Sequence, residues 1–246
     1  LLAVALVAPF VGTISDRLGP KSLILGVRLL LVIPTLLVAG SASLEAMLLW
    51  RFLQGLLLPF IFAVTVAYIG DECEGAAGIR TAGIYSAGTI LGGFGGRFIA
   101  GMVSDVSTWR VAFVVVAALT LAGGLFITWA LPREQRFRPV RGGVRATLAT
   151  YREHLANPRL LATCAVGFGM LFSNVATFTF VNFHLAAPPY SLSPGALGLV
   201  FTVYLLGIVT TTIATRLAVR IGRLRTLALA IGMACGGLLL TLLPSI

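Results

Sequence analysis

The chain has 246 residues, 58% of them hydrophobic and only 11% charged, and its mean hydropathy is +1.01. A soluble domain carries roughly a quarter charged residues, so a water-surrounded globule is excluded and lipid is the solvent that the surplus apolar surface requires. The net charge of +10 does not call for nucleic acid, because its distribution along the chain has a different cause.

Eight apolar segments follow one another, at about 1–15, 22–41, 46–69, 81–103, 110–131, 159–184, 195–217 and 225–244. Most are long enough to cross about 30 Å of hydrocarbon at about 1.5 Å per residue. Open strands there would leave backbone groups unpaired in lipid, so every segment is predicted to be a helix. The fold class is all-α, a polytopic membrane helix bundle. The first segment opens LLAVALVAPF, without Met or a basic leader, and is short for a span. A chain truncated at both ends, with no cleavable signal, is the expectation.

The connections alternate in charge. The first contains Asp16, Arg17 and Lys21, the second only Glu45, and the third, GDECEGAAGIR, contains Arg80 and three acids. The fourth has Asp105 and Arg110, the fifth seven arginines, the sixth no charge, and the seventh Arg216, Arg220, Arg223 and Arg225. Odd connections therefore hold 14 basic residues and even ones a single one, which is the positive-inside pattern with odd connections cytoplasmic. Basicity is thus topological, and no nucleic-acid partner is expected. Trp50, Trp109 and Trp129 fall near segment ends, as interfacial aromatics do. The fifth connection, 132–158, is long and basic. It separates five segments in 1–131 from three in 159–246, which predicts an N-terminal bundle, a cytoplasmic linker and the start of a C-terminal bundle. Its middle, VRATLATYREHL, reads equally as a helix on the membrane surface or as a solvated loop. The 17 arginines against a single lysine, in an Ala/Gly-rich chain, suggest a bacterial plasma (inner) membrane.

Several polar residues stand out from this background. Asp16 closes the first segment, where a helix dipole disfavours an acid; it is either a solvated loop residue or paired with a cation, for which Arg80 is the candidate. Arg51 and Gln54 lie one turn apart on one helix face. Arg51 either faces an interior cavity or snorkels past Trp50 to the interface. Gly88, Gly92, Gly96 and Ala100 are spaced by four and predict a small-residue ridge for close helix packing. Arg97, beside that ridge and well inside its segment, is expected to line a cavity, where its charge could bind an anionic group. Asn174 and Asn182 are polar positions in the sixth segment, suited to interhelical hydrogen bonds. His184 is read as an interfacial anchor or proton carrier. Phe168, Phe172, Phe178 and Phe180 are read as lipid-facing or core, and Tyr85 and Tyr204 as further cavity candidates. Cys73, Cys164 and Cys235 show no metal or redox spacing. No phosphate loop, zinc spacing or catalytic cluster is present in the sequence, so neither an enzyme, a metal nor a cofactor is expected.

Arg17-Leu18-Gly19 is echoed by Arg220-Ile221-Gly222, with Val219 in the place of Asp16 and Leu224 in that of Lys21. An internal repeat across a long linker is a common design of membrane transporters. GTISDRLGPK (12–21) resembles the major facilitator superfamily signature G-x-hydrophobic-small-D-R-x-G-x-K between helices two and three. RFLQG (51–55) resembles that family's fourth-helix motif R-x-x-Q-G, and YIGDECEGAAGIRTAGIYSAG its connection between helices four and five. GRFIAG (96–101) lines up with the family's antiporter motif G-P-x-x-G-G, but with Arg97 in place of Pro and Ala100 in place of the first Gly.

The resemblance implies two pseudo-symmetric halves, with this chain supplying about helices two to nine of twelve. It implies that Gly12, Asp16, Arg17, Gly19 and Lys21 form a cytoplasmic gate motif, with Asp16 in an ion-pair latch, and that Arg51 is linked to proton or substrate coupling. It further implies a monomeric secondary active transporter that moves a small organic solute by alternating access. Likeness to bacterial drug-efflux members implies export, with protons as coupling ion in an antiport. A proton-coupled nutrient or sugar importer of the same fold is the alternative. A membrane receptor or intramembrane enzyme would need a soluble domain or catalytic cluster that the sequence lacks.

Overall fold

The computed structural model describes residues 2–131 and 151–240. Within the described residues each predicted segment is helical. In chain order they are α1 (Leu2–Leu18), α2 (Pro20–Leu30) and α3 (Val32–Ala39), which share one span with a break at Leu31, then α4 (Leu44–Glu72), α5 (Gly75–Val106) and α6 (Trp109–Ala130). After the linker come α7 (Pro158–Ala186), then α8 (Pro194–Val200) and α9 (Val203–Ile221), again one span with a break, and α10 (Arg223–Leu240). Of the linker, residues 151–156 are helical; the rest of VRATLATYREHL lies outside the described residues. No strand occurs among the described residues. Five of the spans, Pro20–Ala39, Leu44–Glu72, Trp109–Ala130, Pro158–Ala186 and Pro194–Ile221, are long and apolar enough to cross a membrane.

Short polar loops set the helix starts. Ser43, Thr108 and Ser193 accept from the backbone N–H three residues on, at 3.2, 3.4 and 3.3 Å, and so cap α4, α6 and α8. Asn157 caps α7 through the N–H groups of Arg159 and Leu160. Pro20, Pro158 and Pro194 occupy the first helical position, where a missing N–H costs nothing. The two echoed glycines adopt one conformation. Gly19 has φ 87°, ψ 134° and Gly222 φ 91°, ψ 153°, a backbone region that side chains with a Cβ avoid. The N–H of Gly19 donates to Ser15 O and that of Leu23 to Gly19 O; at the equivalent places Gly222 donates to Ala218 O and Thr226 to Gly222 O, all at 3.0–3.2 Å.

Helices α1, α2 and α4 meet in a core of Val11, Leu23, Ile24, Val27, Val64 and Tyr68, against which Leu131 also packs. Helix α3 lies between α4 and α6, and α6 bridges from α2 and α3 to α5. Most other large apolar side chains, such as Leu48, Phe126, Phe168 and Leu206, are exposed. That is expected of helices whose outer solvent is lipid rather than water. Contacts across the linker concentrate on a single helix, α5, which packs against α8 and α9.

Candidate functional site

The loop joining α1 to α2 is anchored at its basic end. Lys21 Nζ donates to the carbonyl oxygen of Leu131, 2.5 Å away, at the C-terminus of α6. A cation there satisfies an orphan carbonyl and complements the helix dipole. Gly19 and Pro20 are buried beneath it, whereas Gly12, Asp16 and Arg17 are exposed. The expected pairing of Asp16 with Arg80 is absent: both are exposed and no ion pair joins them. The reason is the packing order. Helix α1 lies against α4 and α2, while α5, which carries Arg80, lies against α4, α6, α8 and α9, on the other side of the bundle from α1 with α4 between them.

The R-x-x-Q-G stretch is a polar relay set into the bundle. Arg51 Nη1 donates to Gln54 Oε1 at 3.3 Å, the buried Gln54 Nε2 donates to Thr35 Oγ1 at 2.8 Å, and Thr35 Oγ1 donates to Leu31 O at 2.7 Å. The Arg51 guanidinium lies over the Phe113 ring, 4.7 Å from its centroid. The motif's last residue has a steric role, because a Cβ on Gly55 would stand 2.8 Å from that of Ala3 in α1. At the same end of the bundle, Arg110 Nη2 donates to Ser41 O at 3.1 Å, just past the C-terminus of α3. The one basic residue of the even connections thus has a capping task.

Helix α5 contacts the post-linker helices by a stripe other than the Gly88, Gly92, Gly96 and Ala100 ridge. A Cβ on Gly88, Gly92 or Gly96 would meet nothing within 4 Å among the described residues, so these three glycines of the predicted ridge take no part in the seam. The stripe one residue on does, about 100° round the helix. A Cβ on Gly93 would lie 3.7 Å from Tyr204, one on Gly101 2.5 Å from Pro194 O, and one on Gly198 3.2 Å from the Arg97 carbonyl oxygen and Phe98 Cα. One turn further, Ser193 Oγ donates to Asp105 Oδ2 at 2.9 Å, and a Cβ on Gly195 would collide with that carboxylate. Neither Asp105 nor Ser193 was singled out by sequence. The available signal was an acid and a cap residue at facing ends of two connections.

Arg97 heads a small polar pocket of about 150 Å³ between α5, α7 and α9, also lined by Asn174, Phe178, Asn182, Phe201 and Tyr204. Its guanidinium lies 4.7 Å from the Phe201 centroid and 5.5 Å from that of Tyr204, and donates to Gly93 O at 2.9 Å. Tyr204 Oη donates to Asn174 Oδ1 at 3.1 Å. Asn182 Oδ1 is buried and has no hydrogen-bond partner. Phe178, expected to face lipid or core, instead joins the pocket wall with Phe201 and Tyr204, at centroid distances of 5.2 and 4.8 Å. Phe168 and Phe172 stack on each other on the exposed face of α7, and Phe180 is exposed there too. His184 packs on Tyr190 at the end of that helix. Tyr85 lies outside the pocket and within electrostatic reach of Arg28. Arg28 itself, a half-buried cation inside α2 beside Gly124 of α6, is a residue that the count of connection charges passed over. Its signal was a lone base within an apolar run.

The whole chain, residues 1–246, matches the family model described as Major Facilitator Superfamily. It is 28% identical over 232 residues to an "Uncharacterized transporter" of Buchnera aphidicola subsp. Schizaphis graminum, covering 94% of this chain and 56% of that protein. It is 30% identical over 223 residues to "Inner membrane transport protein YnfM" of Escherichia coli (strain K12), covering 91% and 53%. Over 161 residues it is 28% identical to "Multidrug transporter MdfA" of Yersinia pestis bv. Antiqua, covering 65% and 39%. The chain spans about half the length of the curated relatives it matches.

Proposed function

Because the chain belongs to the major facilitator superfamily, we propose that it is part of a secondary active transporter that exports a small organic solute by alternating access, driven by protons. Residues 1–131 and 159–246 belong to two halves joined by the cytoplasmic linker 132–158, in a bacterial inner membrane. The relatives named as an inner membrane transport protein and as a multidrug transporter support the location and the direction.

The observation that carries this reading is the seam. The post-linker helices α8 and α9 meet the N-terminal helices along one helix, α5, and this seam is tightest at one end, where Gly101 meets Pro194 and Asp105 meets Ser193. Rocking about such a seam separates the halves without repacking the α1–α2–α4 core, because packed interiors switch as units. The polar pocket headed by Arg97 lies just inside the tight end. In this reading the exposed, unpaired Asp16 and Arg80 belong to the state open on the linker side, and the latch closes in the other.

The test is flux in proteoliposomes containing the full-length protein, with an acid lumen. Solute accumulation in the lumen should rise with the gradient and fall when an ionophore dissipates it. Indifference of the flux to the gradient would refute proton coupling.

A further inference from the structure

We infer that the pocket of Arg97, Asn174, Phe178, Asn182, Phe201 and Tyr204 binds the carboxylate of a small aromatic acid, which makes organic anions the substrate class. The assignment of these anions as substrates rests on the transport reading; the assignment of the site does not.

Arg97 is the first reason. It sits nine residues from the end of α5, roughly 14 Å along the helix at 1.5 Å per residue. No carboxylate pairs with it among the described residues. Asp105, two turns along the same stripe, is taken by Ser193. Along the span Arg97 is exposed to the pocket rather than packed away; cations placed there pair with a carbonyl or an opposite charge, and a ligand can supply the charge.

The form of the guanidinium is the second. Its face lies on Phe201 and one N–H is used by Gly93 O. Arginine has five N–H donors in a planar fork, so an edge remains for the two parallel bonds that a carboxylate accepts.

The third reason is the company it keeps. Asn182 holds a buried amide oxygen without a partner, a polar group in the pocket left open to another molecule. Turning that amide by 180° presents its N–H donors instead. Asn174 spends its oxygen on Tyr204 and keeps its donors. Phe178, Phe201 and Tyr204 supply an apolar wall against which an aromatic ring packs. A cationic ligand is disfavoured, since Arg97 already covers the ring faces of Phe201 and Tyr204 and repels a second positive charge.

The test is calorimetric titration of the full-length protein in detergent with three probes of one shape: benzoate, benzyl alcohol and benzylamine. Benzoate should bind at least about tenfold more tightly than the other two, a gap of about 1.4 kcal/mol. Arg97→Gln should abolish the preference, Arg97→Lys should keep part of it, and Asn182→Ala should weaken benzoate severalfold. Undetectable benzoate binding, benzylamine binding as tightly, or an Arg97→Gln protein that still prefers benzoate would overturn the site. The wild-type preference needs no variant, so misfolding of a mutant does not blunt the test. Benzoate bound at the site but never moved across proteoliposomes supports the site and overturns transport of organic anions. Gradient-driven flux of other solutes without benzoate binding overturns the site and leaves the transporter.

Discussion

Lys21 and Leu131 are tied together across 110 residues of chain by a 2.5 Å bond from the ammonium to the carbonyl of Leu131, the residue that follows α6. The side chain thereby links the start of α2 to the point where the linker begins, and Leu131 in turn packs on the α1–α2–α4 core. A cation at a helix C-terminus contributes about 0.3–1 kcal/mol, and a part-buried carbonyl left unmatched costs about 1–3 kcal/mol. Lys21→Met should therefore lower stability by about 1–2 kcal/mol, with Lys21→Arg much milder. Thermal unfolding of the purified protein reads this directly; equal midpoints for wild type and Lys21→Met would show the contact to be idle.

The Gln54–Thr35 bond, buried at 2.8 Å, should appear as a coupling. In a double-mutant cycle of Gln54→Ala and Thr35→Val, the interaction term should be about 1 kcal/mol. Additive effects of the two changes would mean that the relay from Arg51 stops at Gln54.

At the crossing of α1 and α4, Gly55→Ala would put two methyl groups 2.8 Å apart. Overpacking of this kind costs about 1–3 kcal/mol. Ala3→Gly on the same chain should restore most of the loss by removing the opposing methyl. Failure of that rescue, measured by unfolding midpoints, would place the cost elsewhere.

The seam offers a conformational test. An alanine at Gly101 would meet the backbone carbonyl of Pro194 at 2.5 Å, and backbone cannot step aside as a side chain can. Gly101→Ala should hold the tight end open. With Cys73, Cys164 and Cys235 replaced by serine and a cysteine placed at Asn182, labelling by a membrane-impermeant thiol reagent should be severalfold faster in the Gly101→Ala background. An unaltered rate would dismiss the seam as a gate.

Asp16→Asn should lower transport while leaving expression and membrane insertion intact. The carboxylate is exposed and unpaired with Arg80 here, so its removal should cost little in this state and act on the other. Initial rates in proteoliposomes decide it, and wild-type rates from the asparagine variant would end the latch idea.

The places where sequence succeeded and failed share one logic. The positive-φ turn at Gly19 was legible as Gly-Pro, and its echo at Gly222 as a repeated Arg-hydrophobic-Gly; both have the same backbone geometry and the same pair of hydrogen bonds. By contrast, α5 carries small residues on two adjacent stripes, Gly88/Gly92/Gly96 and Gly93/Gly101, and spacing alone does not say that the second is the one that meets the post-linker helices. Phe178 looked like any apolar residue of α7 until Phe201 and Tyr204 packed against it. Arg80 is a cation on the same side as Asp16, yet α1 and α5 are not packed together.

What the sequence determined by itself is what lipid and local backbone chemistry impose: eight apolar runs become helices because backbone groups have no other partner in hydrocarbon, and caps, prolines and glycines mark many of their ends, although α5 begins at Gly75, six residues before the predicted 81, and α9 runs to Ile221, four residues past the predicted 217. Tertiary structure alone decided which face of each helix meets which neighbour. In lipid one apolar face is nearly as good as another, so the choice falls to close backbone approach and to a few polar contacts between distant residues. Lys21 with Leu131, Gln54 with Thr35 and Asp105 with Ser193 are such contacts, and no window of sequence contains both members of any of them together with its surroundings.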